Sequence, residues 1–194
     1  AALESDGEAS GRSLLRAARL ARRLEGARVR PLLVQAARRL PLDGLVGAML
    51  DDAHAEEPAA LRAGHRSVLE GLSGAVRSRA ARALAARWLA RFGEPKAALE
   101  LLEEAVVADP RDPAPALAAG RLLASASVED ALDRVERWLT RVAEGSPAQA
   151  ALLGTALRIS RQRVEDSALA DRYAARLRAT HPEHPSIRSS TDDP

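Results

Sequence analysis

The sequence predicts an all-α protein of about ten helices, and three observations support this prediction. Hydrophobic residues make up 46% of the 194 residues and are mostly alanine, leucine and valine, whereas aromatic residues make up only 2%. Alanine and leucine are strong helix formers, so this composition favours helices over strands. Apolar residues recur at helical spacing, and glycines and prolines end the segments that carry them. Small residues also recur at a constant interval in the second half of the chain, as in stacked helical repeats.

The N-terminal part of the chain divides into a short arm and four predicted helices. Residues 1–10 are acidic and small and have no apolar stripe, so we expect a disordered acidic arm there. Residues 11–77 are predicted to form a helical N-terminal part, which is either a set of degenerate repeats or a separate cap. Its predicted helices span residues 11–24, 30–40, 42–53 and 59–72.

Residues 78–185 are predicted to form three antiparallel helix hairpins. The first hairpin spans residues 82–110 and turns at Gly93 and Pro95. The second pairs residues 113–126 with residues 128–143, and the third pairs helices that begin at Pro147 and Ser167. Residues 186–194 are expected to be a flexible tail.

A regular spacing of small residues links the three hairpins. Ala86, Gly120 and Gly154 follow one another at a constant interval of about 34 residues, a period typical of stacked helical repeats. We expect the two glycines to lie where the two helices of a hairpin cross closely, because a larger side chain would separate them. Trp88 and Trp138 lie beside apolar stripes and are interpreted as core residues, with an exposed peptide-binding edge as the alternative.

This part of the chain, residues 78–182, resembles the tetratricopeptide repeat (TPR) family. The pattern W-x2-L-G-x2-Y…A-x3-F…P falls on one arginine, on small or apolar residues and on a final proline, without the large aromatic residues. The matching residues are Arg82, Ala85, Ala86, Leu89, Ala98, Leu102 and Pro110. The resemblance implies a right-handed α-solenoid of TPR-like helix hairpins. It also implies a non-enzymatic scaffold or adaptor that binds a protein partner in a concave groove.

The resemblance places the partner-binding residues on the first helix of each hairpin. In the repeat register these positions include Arg87, Arg91, Arg121 and Arg158. Because arginine captures carboxylates with two parallel hydrogen bonds, we expect an acidic segment of a partner protein as the ligand. The alternative is that these arginines are merely solvated. The family's carboxylate clamp is absent, because Ala83 and Arg87 replace its lysine and asparagine.

No motif in the sequence indicates catalysis, a cofactor or a metal. The chain has no cysteine, which excludes disulfides, thiolate zinc sites and cysteine nucleophiles. Phosphate-binding glycine loops and serine nucleophile elbows are also missing from the sequence. We therefore predict that the protein is not an enzyme. His181 and His184 are expected to be exposed in a turn after the last helix, without binding metal.

Other ionisable residues in the first half are expected to be solvated. His54 and His65 are isolated in the sequence and are interpreted as surface or boundary residues. Asp51 and Asp52 are adjacent, so on a helix they point in different directions and form no carboxylate pair. We therefore expect both carboxylates to be solvated.

The distribution of charge leaves a second function open. Residues 11–91 contain 16 arginines and 7 acidic residues, whereas residues 92–194 contain 13 basic and 17 acidic residues. The basic N-terminal half suggests a nucleic-acid-binding helical regulator as the alternative, although the scarcity of aromatic residues for base stacking argues against it. Lys96 is the only lysine, a bias typical of GC-rich bacterial genomes.

A third hypothesis comes from the C-terminal hairpin. The segments LLGTALRISRQ and ALADRYAARLRATHPEHP resemble the last repeats of bacterial pilotin-type proteins of type IV pilus assembly. A pilotin-like assembly factor of an envelope machine is therefore a minor alternative. No apolar run reaches the length of roughly 18 residues that a membrane span requires. We expect a cytoplasmic protein, or a periplasmic or envelope-associated one if its N-terminus was processed. The sequence defines no oligomeric state.

Overall fold

The computed structural model describes residues 2–24, 28–164 and 167–188, and within these ranges the chain forms eleven α-helices and no strand. The helices are α1 (Ala2–Leu24), α2 (Val29–Arg39), α3 (Gly44–Ala53), α4 (Pro58–Glu70), α5 (Gly74–Phe92), α6 (Pro95–Ala108), α7 (Ala114–Leu123), α8 (Val128–Leu139), α9 (Pro147–Arg163), α10 (Ser167–Thr180) and α11 (Pro185–Arg188). The all-α prediction is therefore confirmed for the described residues. Among these helices, we find none that combines the length and apolar character needed to cross a bilayer.

Serine caps fix the starts of two helices in the second half of the chain. The Ser127 hydroxyl accepts a hydrogen bond from the backbone N–H of Asp130 at the start of α8. The Ser146 hydroxyl does the same for Gln149 at the start of α9. Each cap satisfies one of the backbone donors that the first helical turn leaves unpaired. Pro147 follows its cap at the first helical position, where the missing N–H has no helical partner to lose.

The predicted turn between α5 and α6 is confirmed. Gly93 has a φ of 63°, which is the left-handed conformation that glycine adopts at little cost. Its N–H donates to the carbonyl of Leu89 at 3.2 Å, and α6 then begins at Pro95. A glycine just after one helix and a proline at the start of the next are the sequence signals that predicted this turn.

The chain divides into two compact units, Ala1–Ala83 and Leu84–Pro194, so that the boundary lies inside α5. The sequence placed a boundary slightly earlier, between residues 77 and 78. In the first unit, α2 packs against α1, α3 and α4. Leu33 of α2, Leu50 of α3 and Leu69 of α4 are at most 1% exposed. Full burial of one leucine side chain contributes about 1.5–3 kcal/mol, so this apolar face stabilises the unit.

In the second unit, α9 is the central helix and packs against α7, α8 and α10. Ten of its 17 residues are buried, whereas a helix with one covered face would bury fewer. Trp138 of α8 is completely buried, and Trp88 of α5 is 2% exposed, with its ring 4.9 Å from that of Phe92. The interpretation of both tryptophans as core residues is confirmed.

Gly120 marks a close approach of two helices, but not of the two that we expected. A Cβ atom at Gly120 would lie 2.5 Å from the hydroxyl oxygen of Thr155, which belongs to α9 rather than to the adjacent helix α8. A Cβ atom at Gly154 would lie 3.0 Å from Cε1 of His184, in the turn after α10. Ala86 is exposed. The two register glycines therefore mark contacts between a first helix and the element that follows its hairpin.

Both ends of the chain contain more helix than the sequence suggested. Residues 2–10, which we expected to be a disordered arm, form the first turns of α1, and Glu8 lies 3.6 Å from Arg12 one turn later. Opposite charges at this spacing support a helix by about 0.2–0.5 kcal/mol. At the other end, residues 185–188 of the expected hairpin end and tail form α11. The rest of the predicted tail, residues 189–194, lies outside the described residues.

A buried polar pair in the first unit corrects the expectation that its ionisable residues are solvated. Asp51 of α3 and His65 of α4 are 1% and 2% exposed, and His65 Nε2 lies 3.1 Å from Asp51 Oδ1. His54 is also buried, with its Nδ1 3.0 Å from the carbonyl oxygen of Leu50. Residues four apart on a helix share a face, so the Leu50 carbonyl is within reach of His54. These contacts satisfy polar groups that would otherwise be costly to bury.

Candidate partner-binding groove

An open groove of about 450 Å³ lies between α7 and α9 in the second unit. We call it the α7–α9 groove. Helix α7 contributes Leu117 and Arg121, and the residues after α10 contribute His184 and Ser186. The remaining lining comes from α9 and includes Arg158 and Arg161. The groove has a size that is ordinary for a ligand-binding site.

Two of the four predicted partner-binding arginines, Arg121 and Arg158, lie together in this groove. The Arg158 guanidinium donates a hydrogen bond to the backbone carbonyl of Gly120 at 3.3 Å, and Arg121 is the next residue in the chain. The carbonyl end of α7 carries partial negative charge, so it suits a cation such as Arg158. This contact holds the exposed Arg158 beside the exposed Arg121.

Arg161 is a groove arginine that the sequence analysis did not select. Its guanidinium donates to the backbone carbonyl of Ser186 at 3.4 Å. Arg161 follows Arg158 by three positions, and residues at this spacing share one face of a helix. The helical spacing could therefore have identified Arg161 from Arg158. The fold of the C-terminal turn back onto α9 could not have been identified in the same way.

The other two predicted residues, Arg87 and Arg91, lie on α5 and are not part of the groove lining. Arg87 is half-buried, and Arg91 is exposed with its guanidinium 5.8 Å from the centre of the Phe92 ring. An arginine at that distance interacts favourably with an aromatic ring. The structure therefore brings together Arg121 and Arg158 and leaves Arg87 and Arg91 on another helix.

The charged side chains that line the groove are all arginines. Three guanidinium groups line it, and none of the described residues in its lining is an aspartate or a glutamate. The groove also has an apolar part, because Leu117 is 52% exposed and lies beside buried Leu157 and Ala151. An anionic group and an apolar side chain on one ligand could therefore both find complementary surfaces.

His184 forms part of the groove wall. The sequence suggested that His181 and His184 are exposed, but both are half-buried. Burial lowers the pKa of the His184 imidazole, and the neighbouring His181 lowers this pKa further. The backbone N–H of Ser186 donates to His184 Nδ1 at 3.3 Å, which requires this nitrogen to be unprotonated. The ring is therefore neutral at neutral pH and adds polar surface, not charge, to the groove.

The described residues contain no group of three or more histidine, aspartate or glutamate side chains that could hold a metal ion. His181 and His184 are close in sequence but have different partners. His181 Nδ1 lies 2.9 Å from the hydroxyl of Thr180, whereas His184 faces Ser186 and Gly154.

A second open cavity of about 640 Å³ lies beside α8 and differs in charge from the α7–α9 groove. Its lining includes Lys96 and Arg134 as well as Asp130, Asp133 and Glu136. Glu136 is already paired with the guanidinium of Arg176 at 2.6 Å. Because both basic and acidic side chains line this cavity, its charge favours neither an anionic nor a cationic ligand.

Comparison of the chain with protein-family models, with curated proteins and with solved structures finds no match in any of the three.

Proposed function

We propose that the protein is a non-enzymatic interaction scaffold that binds an acidic segment of a partner protein in the α7–α9 groove. The observation that carries this proposal is the set of three arginines beside an exposed leucine, without an acidic residue in the described lining. The architecture proposed with it is a right-handed solenoid of TPR-like hairpins. Groove residues in such a solenoid come mainly from the first helices, and α7 and α9 are the first helices of successive predicted hairpins.

The packing around the two register glycines supports the repeat interpretation. Helices α7 and α9 pack against each other, and Gly120 of α7 faces Thr155 of α9. Gly154, one repeat interval later, faces His184 in the segment after the next hairpin helix. Repeat proteins stack in this way because each unit buries one face against its neighbour.

The strength of the interaction depends on several weak contacts acting together. An exposed arginine–carboxylate pair contributes about 0.2–1 kcal/mol, so a single pair would not hold a partner. Arg158 is already positioned by the Gly120 carbonyl, which reduces the entropy lost on binding. Burial of the exposed half of Leu117 would add about 1 kcal/mol. The ligand that fits best is therefore a segment with several acidic residues and an apolar side chain.

The nucleic-acid alternative has less support, because arginines in the basic N-terminal half have protein partners. Arg30 forms a two-pronged ion pair with Glu57, and the hydrogen bonds from Arg30 lower the pKa of that carboxyl. Arg38 donates to the backbone carbonyl of Ser67 at 2.9 Å and also to its hydroxyl. The ion pair with Glu57 compensates the charge of Arg30, so this arginine is less available for a phosphate contact.

A displayed library of random peptides, selected on the wild-type protein, tests the proposal. We expect the selected peptides to be rich in aspartate and glutamate, and their affinity to fall as the NaCl concentration rises. The double variant Arg121→Glu and Arg158→Glu should weaken binding at least tenfold, which corresponds to about 1.4 kcal/mol. The matched control reverses Arg111 and Arg178, which are exposed and lie outside the groove lining.

Three results would contradict the proposal. One is the enrichment of peptides without net negative charge, and another is full affinity in the groove double variant. The third is a fluorescent oligonucleotide that binds more tightly than the selected peptides and depends steeply on salt. Circular dichroism of each variant confirms that its helices are intact.

A further inference from the structure

We propose that His184 takes up a proton when an acidic segment enters the α7–α9 groove, so that binding becomes tighter as the pH falls. This inference rests on the proposed function and adds a role for a groove residue that this function does not use. It starts from the position of the imidazole, which lines the same groove as Arg121 and Arg158. A bound acidic segment would therefore place its carboxylates in the groove that the imidazole also lines.

Two contacts identify the nitrogen of His184 that would take up the proton. The backbone N–H of Ser186 donates to Nδ1 at 3.3 Å, so this nitrogen carries no proton in the neutral ring. The proton of the neutral ring is then on Nε2, on the ring edge that faces α9, where Nε2 would lie 3.5 Å from a Cβ atom added to Gly154. Protonation of Nδ1 therefore places a second donor opposite the N–H of Ser186.

The protonated form of this groove wall needs an acceptor, and an acidic segment can supply one. Once Nδ1 of His184 is protonated, it no longer satisfies the N–H of Ser186, and a buried donor without a partner is costly. A carboxylate has two acceptor oxygens, and its hydrogen bonds with an imidazolium are strengthened by charge. The free protein therefore favours the neutral ring, and a bound carboxylate favours the imidazolium.

The charges around His184 support the same difference between the free and the bound protein. Among the described side chains, α7 contributes Arg121 and α9 contributes Arg158 and Arg161 to the lining, while half-buried His181 and exposed Glu183 lie in the turn. Burial lowers the pKa of His184, and His181 lowers this pKa further. An opposite charge within about 4–6 Å favours the charged form, so a bound carboxylate should raise the pKa again.

Thermodynamic linkage converts this difference in pKa into a pH dependence of binding. A ligand that favours the protonated ring binds more tightly to the protonated protein, by the same factor by which it favours protonation. In the free protein the neutral ring predominates above about pH 6.5, because the pKa of His184 is lowered. We therefore expect the affinity for an acidic segment to be constant at high pH and to rise as the pH falls through the pKa of the bound state.

A fluorescence-labelled peptide, Asp-Asp-Leu-Asp-Asp, tests this inference on the full chain through its fluorescence anisotropy. Binding is measured from about pH 8 to about pH 5.5, a range in which aspartate, with an ordinary pKa of about 3.9, keeps its charge. We expect the dissociation constant of the wild-type protein to fall at least threefold over this range. The uncharged peptide Asn-Asn-Leu-Asn-Asn should bind more weakly at every pH.

Two matched substitutions assign the pH dependence to one ring. His184→Gln removes the titrating group from the lining and should abolish the change in affinity. His181→Gln removes a histidine that is outside the described lining and should retain the change. If the His184 variant unfolds, an NMR titration of the wild-type protein provides a second measurement. Saturation with the aspartate peptide should move the midpoint of His184 to higher pH by about 0.5 or more, the shift that a threefold change in affinity requires.

The possible failures separate the two proposals. Binding of the aspartate peptide with the same affinity at both ends of the pH range, or with lower affinity at the acidic end, would overturn the inference and leave the acidic-segment proposal standing. The same pH dependence in His184→Gln would assign the proton to another group and would also overturn the inference. No preference for the aspartate peptide over the asparagine peptide at any pH would overturn both.

Discussion

The contact between Gly120 and Thr155 predicts that a single added methyl group will strain the packing of α7 against α9. In Gly120→Ala the new Cβ would lie 2.5 Å from Thr155 Oγ1 and 3.2 Å from Thr155 Cγ2. Thr155 is 4% exposed and its hydroxyl is bonded to Ala151, so its side chain has little room to move. The two helices must separate, or Thr155 must leave its rotamer.

Two terms of opposite sign determine the size of the effect. Overpacking of a filled interior costs about 1–3 kcal/mol. Alanine is favoured over glycine inside a helix by about 1 kcal/mol. We therefore expect Gly120→Ala to lower the free energy of unfolding by up to about 2 kcal/mol, despite its better helix propensity.

A double-mutant cycle isolates the contact. Thr155→Ala removes both clashing atoms and leaves only its Cβ, at an ordinary distance of 3.4 Å. The two substitutions should therefore couple by about 1–3 kcal/mol, because the second relieves the strain of the first. Urea unfolding followed by tryptophan fluorescence measures this unit directly, since Trp88 and Trp138 both lie in Leu84–Pro194.

Gly154 provides the matched control. A Cβ atom there would lie 3.0 Å from His184 Cε1 and 3.8 Å from Ser186 Oγ, in a half-buried turn that can give way. Gly154→Ala should therefore be neutral or stabilising by up to about 1 kcal/mol. Additivity of Gly120→Ala and Thr155→Ala within about 0.5 kcal/mol would refute the close contact. Equal destabilisation by Gly120→Ala and Gly154→Ala would refute the ranking of the two positions.

Three further predictions concern ionisable groups. Asp51→Ala should destabilise the protein by about 1–3 kcal/mol, because it removes a hydrogen-bond partner of the buried His65. Urea unfolding followed by circular dichroism measures this loss, and Asp52→Ala, at an exposed position, should be near neutral. Burial raises the pKa of Tyr173 to about 12, so the stability that its neutral form contributes is complete below about pH 10 and is lost as the pH rises through about 12. Tyr173 is the only tyrosine in the sequence, so the pH titration of tyrosinate absorbance should show a single midpoint. We expect this midpoint near pH 12 in the folded protein and near pH 10 in urea, and a folded midpoint near pH 10 would contradict the prediction. Burial lowers the pKa of His184, so its neutral form stabilises the fold above about pH 6.5, and that stability is lost as the pH falls through the folded pKa. An NMR titration, assigned with His184→Gln, should give a midpoint below about 6.5. A higher midpoint would refute the burial argument.

Local sequence signals predicted the helices of this protein well, because those signals act within the helix itself. The end of α5 at Phe92, the start of α9 at Pro147 and the span of α10 from Ser167 follow from caps, glycines, prolines and apolar spacing. The N-terminal arm was an error of the same local kind. Its lack of an apolar stripe predicted disorder, but residues 2–10 continue the helix that the following apolar residues anchor.

Contacts between distant residues could not be predicted from those signals. Asp51 and His65 lie far apart in the sequence on different helices, and neither has a neighbour in the sequence that reveals the pairing. The contact of Gly154 with His184 depends on a turn that folds back onto α9. The sequence indicated that glycines mattered at a repeat interval, but not which helix each would face.

The candidate site was predicted in part, because a register along the chain selects positions but does not show which of them meet in the fold. Arg121 and Arg158 came from a register along the chain, and both line the α7–α9 groove. The same register selected Arg87 and Arg91, which lie on α5 outside it. Arg161 was missed, although it lies three positions after Arg158 on the same helix face.

The chain contains no cysteine, so one introduced thiol can report directly on the occupancy of the groove. Leu117→Cys places that thiol in the α7–α9 groove, and Arg178→Cys places one on α10 outside the groove lining. The decisive measurement is the rate at which each thiol is alkylated with and without a saturating acidic peptide from the selection. We expect at least tenfold protection of the thiol at position 117 and none at position 178. Equal alkylation rates at position 117 with and without the peptide would contradict the claim that the groove holds the acidic segment.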